Sequence, residues 1–182
     1  MKLAILGESS ADEAALHAVV EGLLDGHVEL SDLPPLRSRG WPSVRDVLPS
    51  VMKHLHYHSD ADALVVVVDS NSSPPHASAH GATPEEQCRF CQLEAVTEGT
   101  KRQLRPVGEA AWLLESRSAS HFKNELKRSV YGTERPSLDH ERDQAVAEIR
   151  RLVDGGFLPT LEAAFPGGFG ELAHEVRRWG AL

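Results

Sequence analysis

The chain has 182 residues, of which 41% are hydrophobic and 25% charged, and a formal net charge of −8. This is a globular composition with room for one sizeable core, and no apolar run approaches the ~20 residues of a membrane span. The acidic balance excludes the globally basic footprint of proteins that grip nucleic acid by phosphate neutralisation, while leaving room for a local basic patch.

The opening run KLAILG (2–7) is short, apolar and ends in glycine, which predicts a buried strand. It is too short for a signal peptide and lacks a small-residue cleavage pattern, so a cytoplasmic location is expected. The following segment, SADEAALHAVVEGLLDG, places Ala14, Leu16, Val19, Val20, Leu23 and Leu24 at helical spacing. Ser9 or Ser10 is the expected cap, and Gly26 the expected stop. HVELSDL (27–33) alternates and predicts a second strand. After a turn-rich loop, SVRDVLPSVMKHLHYHS predicts a helix through Val44, Val47, Leu48, Val51, Met52 and Leu55, with Pro49 inside it.

LVVVVDSNSS (64–73) then reads as a strand buried on both faces that stops on Asp69. The stretch 70–84 is loop by composition. TPEEQCRFCQLEAVTEG predicts a helix with Thr83 as cap, Pro84 at the first helical position and Glu85 and Glu86 in the first turn. RQLRPVG suggests a fourth strand and EAAWLLES a short helix. From about residue 118 the chain reads as helical. Strands alternating with helices predict a parallel sheet with helices on its faces, and such sheets bind ligands outside the carboxyl ends of their strands. Glu8 and Asp69 both follow strands, so neighbouring strands would aim both carboxylates into one crevice.

A glutamate after the first strand, in GESSADEAAL (7–16), and an apolar strand closing on an acid, in VVVVDSN (65–71), resemble the two motifs of the Toprim domain. That domain is shared by topoisomerases, primases and overcoming-lysogenisation-type nucleases. AAWLLES and the later VYGTERPS resemble a small uncharacterised group of Toprim-like proteins. The resemblance spans roughly residues 1–140. It implies a mostly parallel, four-stranded Toprim-like α/β core over 1–116, with a helical extension over 117–182 packed on it. It implies catalytic roles for Glu8 and Asp69, and a Mg²⁺ or Mn²⁺ ion held by Glu8, Asp69 and Asn71. Such an ion supplies charge to a phosphodiester under attack. Asn71 stands where the family pattern has a second aspartate, and its neutral amide offers the metal less charge. Two functions follow as expectations: a divalent-metal-dependent nuclease, or a catalytically impaired binding or regulatory module. A flavodoxin-like nucleotide-binding domain is a third reading, weakened by the lack of a Gly-rich phosphate loop.

Asp12, Glu13 and Glu109 are further carboxylates near the expected crevice, though for each a solvated helix position is the favoured reading. His76, His80, Cys88 and Cys91 have ligand types suited to Zn²⁺, though in an unusual order. The alternative is a Cys pair lining a helix face beside surface histidines. His54, His56 and His58 are expected at the surface. Lys101, Arg102, Arg105, Lys123, Lys127 and Arg128 are either a phosphate-facing patch or ordinary solvated helix faces. Nucleic acid is the expected partner; the sequence specifies neither an oligomeric state nor a protein partner.

Overall fold

The computed structural model describes residues 1–34, 40–69, 73, 88–100, 127–133 and 135–180. In chain order these form β1 (Lys2–Gly7), α1 (Ser10–Leu24), β2 (Glu29–Leu30), α2 (Gly40–His58), β3 (Ala63–Val67), α3 (Arg89–Thr97), α4 (Leu138–Asp154), α5 (Leu158–Ala164) and α6 (Glu171–Gly180). The protein is mixed α/β, with a parallel three-stranded sheet among the described residues in the order β2-β1-β3. The fourth strand expected at 102–108 lies outside them, as does the boundary at 116–117.

The chain divides into two compact units. One comprises Met1–Ser9 and Val28–Glu109, and the other Ser10–His27 and Ala110–Leu182. Helix α1, which the sequence groups with the sheet, therefore belongs to the helical unit.

In the sheet unit, β1 is the strand that lies in the core: Leu3, Ala4, Ile5 and Leu6 are all buried. The run expected to be buried on both faces, β3, is only half-buried along its length. It pairs with β1, from Leu3 opposite Ala63 to Gly7 opposite Val67, and among the described residues no other strand flanks it. The strand also stops at Val67, so Val68 and Asp69 already lie beyond it. β2 is a two-residue contact with β1, much shorter than the alternating run suggests.

The packed centre of this unit is Leu6 of β1, Val44, Leu48, Val51 and Met52 of α2, and Leu93 of α3. Pro49 sits inside α2 without ending it. The helix starts earlier than its apolar pattern, at Gly40, whose φ of +69° is strained for any residue with a Cβ. In that conformation the Gly40 N–H donates to the Glu8 carbonyl at 3.0 Å, which ties the start of α2 to the end of β1.

In the helical unit, α1 packs against α4 and α6. Gly22 permits the first contact: a Cβ there would lie 2.6 Å from a Val153 methyl. Glu162 of α5 and Arg177 of α6 make a two-pronged pair at 2.8 and 2.5 Å. The left-handed position after α1 is taken by Asp25, at φ +49°, rather than by the expected Gly26. The short polar side chain of Asp tolerates that conformation.

Candidate crevice at the ends of β1 and β3

Parallel pairing of β1 with β3 brings the residues after both strands to the same sheet edge. Asp69 meets Glu8 there through its main chain: the Asp69 N–H donates to Glu8 Oε1 at 2.7 Å. The sequence reading aims both carboxylates into one crevice, whereas the observed contact is between the Glu8 carboxylate and the Asp69 main chain.

A third residue, which the sequence reading did not single out, completes the arrangement. Arg89 Nη1 donates to the same Glu8 Oε1 at 2.9 Å and also to the Asp69 carbonyl. The two side chains are mostly shielded, Arg89 being 16% and Glu8 17% exposed. The Arg89 guanidinium carbon lies 4.9 Å from the centroid of the Trp41 ring, within cation–π range. Planar, weakly hydrated guanidinium suits this combination of aromatic face and carboxylate better than an ammonium would. Three elements deliver the set: Glu8 follows β1 directly, the first turn of α2 carries Trp41, and α3 begins at Arg89.

The start of α3 is fixed by sulfur and hydroxyl. Cys88 is the N-cap, with extended φ −68° and ψ 162°, and its Sγ accepts from the Cys91 N–H at 3.4 Å. Ser73 Oγ accepts from the Arg89 N–H at 3.0 Å. The described helix begins here; the expected start at Thr83–Glu86 lies outside the described residues. Burial pushes the Cys91 thiol up to about 11, with the adjacent Cys88 and then Glu94 adding to the shift. A thiol raised from 9.0 stays protonated in the fold while the unfolded chain ionises. Its stabilising contribution is therefore complete below pH 9 and is lost as pH rises through 11. Alkylation of Cys91 at pH 8 is expected to run about a hundredfold slower than for an unperturbed thiol, climbing toward pH 11. A rate profile with its midpoint near 9 contradicts this.

Asn71, His76, His80 and Glu109 lie outside the described residues, as do Lys101, Arg102, Arg105 and Lys123. Asp12 and Glu13 occupy the first turn of α1, where the helix dipole favours carboxylates. Lys127 is paired with Glu141 at 2.9 Å. His56 and His58 are exposed, and the His54 and His58 rings lie 5.7 Å apart, tilted by 42°, along one face of α2.

The Toprim resemblance implies a divalent ion at Glu8 and Asp69, and the donor set here can be tested against it. Among the described residues, no group of three or more His, Cys, Asp or Glu side chains is placed to hold a metal ion. At Glu8 the carboxylate oxygen already receives a cationic donor. A divalent ion about 4 Å from a guanidinium meets roughly 8 kcal/mol of repulsion at an effective dielectric of about 20. With Arg89 on Glu8, these residues do not fit a divalent ion.

A second concavity, of about 350 Å³, lies in the helical unit between α1 and α4. Glu21, Asp25, His27, Arg150 and Asp154 line it, over a floor that includes Gly22. His27 Nδ1 and Glu21 Oε1 are 2.8 Å apart at its rim, and His27 is largely solvated.

No family model, curated protein or solved structure matches the chain. Among the described residues no helix is long and apolar enough to cross a membrane.

Proposed function

We propose that the chain is a Toprim-like module that binds phosphate-bearing groups of nucleic acid at the β1–β3 crevice without cutting them. The observation that carries this reading is the Arg89–Glu8 pair. A glutamate reserved for metal or proton work is instead neutralised by a guanidinium that is suited to bidentate phosphate contact. In this reading residues 102–108 add the fourth strand of a Toprim sheet, and Asn71 belongs to the same loss of acidic function.

The metal-dependent nuclease is the second reading. It is favoured by the meeting of Glu8 and Asp69 at adjacent strand ends. The two are separated by one set of assays at low salt on single-stranded DNA, duplex DNA and RNA. Binding is followed by anisotropy, and cleavage by a time course in Mg²⁺ or Mn²⁺. The expected result is saturable binding that weakens about tenfold in Arg89→Ala, with no cleavage above that of Asp69→Ala. Cation-dependent cleavage that disappears in both Glu8→Ala and Asp69→Ala, and rises in Asn71→Asp, establishes the nuclease instead. Zinc at His76, His80, Cys88 and Cys91 is a separate proposal. About one ion per chain in protein purified without added metal, released on modification of the thiols, is the result that supports it.

A further inference from the structure

We propose that Cys88 and Cys91 are a reversible redox pair, joined by a disulfide across the first turn of α3 through exchange with a low-molecular-weight disulfide of the glutathione class. The inference does not depend on what the crevice binds.

The placement of the two sulfurs carries it. They are the two cysteines of the chain, both are free, and they stand at the N-cap and the third position of one helix. Residues three apart on a helix have Cα atoms about 5 Å apart, inside the roughly 4.4–6.8 Å that a disulfide spans. Cys88 is extended, and its side chain reaches over the first turn, where Sγ accepts from the Cys91 N–H at 3.4 Å. The Cys91 thiol also hydrogen-bonds to the Cys88 side chain. A cap alone does not require this arrangement. Ser, Thr, Asp and Asn are the strong caps, a thiol sulfur is a weak acceptor, and capping uses one sulfur rather than two.

Exposure sets the order of events. Cys91 is partly exposed and Cys88 is 3% exposed, so exchange enters at Cys91. The Cys91 thiolate attacks one sulfur of the small disulfide, forms a mixed disulfide and releases one thiol. The Cys88 thiolate then attacks Cys91 Sγ, forms the intramolecular bond and expels the second thiol. Each cysteine gives up one proton and one electron, and the small disulfide takes up both pairs as it is reduced to two thiols. Burial that keeps the Cys91 thiol protonated slows the first attack, so the pair is read at equilibrium. Arg89 lies inside the ring that the bond would close, and the bond would pin the backbone from which its guanidinium reaches Glu8.

The test equilibrates the full chain, without added metal, in glutathione buffers running from fully reduced to fully oxidised. Samples are quenched in acid and read by intact mass and thiol count. Wild type is expected to pass to an intramolecular disulfide, two hydrogens lighter and free of bound glutathione, and to return fully on reduction. Cys88→Ser keeps a hydroxyl at the cap and is expected to stop at one glutathione on Cys91. Cys91→Ser leaves only the buried thiol and is expected to take up glutathione about tenfold more slowly. Wild type that stays a dithiol in the most oxidising buffer, stops at mixed disulfides or pairs between chains overturns the inference. Zinc retained by wild type with both thiols protected overturns it too, and assigns the sulfurs to the metal.

Discussion

Leu48→Ala is expected to lower the unfolding free energy by about 3 kcal/mol, read as a shift in urea midpoint at unchanged slope. Leu48 is fully buried and belongs to the cluster of Leu6, Val44, Val51, Met52 and Leu93. Truncating such a side chain loses its transfer free energy and leaves a cavity that rigid neighbours cannot close, for a total of about 2–5 kcal/mol. The position matters for the crevice as well. The same cluster joins β1, α2 and α3, the three elements that present Glu8, Trp41 and Arg89. The variant is therefore expected to weaken ligand binding along with stability. A loss below about 1 kcal/mol would mean that this cluster does not form the packed centre of the sheet unit.

Arg89→Met is expected to cost about 2 kcal/mol, less than a fully buried pair because both side chains retain some exposure. The loss has two parts. The Glu8 carboxylate keeps one donor, the Asp69 N–H, and loses its charged one. The Asp69 carbonyl loses its Arg89 donor as well. Methionine preserves much of the apolar stem against Trp41, so the change reports on charge and hydrogen bonding more than on packing. Equilibrium denaturation checks the value, and a change within about 0.5 kcal/mol of wild type counts against a structural pair.

Much of the sheet unit was legible because its signals are local. The apolar run ending at Gly7 and the spacing through Val44, Leu48 and Val51 depend on neighbours a few residues away, and they gave β1 and α2. The degree of burial of β3 was not legible, since four consecutive valines fit a half-covered strand as well as a central one. That Glu8 and Asp69 follow neighbouring parallel strands was legible from strand-end placement, whereas the approach of the Asp69 main chain to Glu8 was not. Arg89 escaped the sequence reading because its pairing spans 81 residues. It also sits between Cys88 and Cys91, whose ligand chemistry drew attention to sulfur. The signals that point to it are a lone tryptophan in the turn-rich SRGWPS segment and an arginine at a helix start, where the dipole disfavours a cation unless a carboxylate answers it.

The measurement that bears most directly on the Arg89–Glu8 pair is a double-mutant cycle in urea denaturation. It compares wild type, Glu8→Gln, Arg89→Met and the double variant. Residues in direct charged contact in a mostly shielded site couple, and a coupling energy of at least about 1 kcal/mol is predicted, the double variant losing less than the sum of the singles. Additivity within about 0.3–0.5 kcal/mol is what independent residues give, and that result contradicts the Arg89–Glu8 pair on which the proposed phosphate-binding crevice rests.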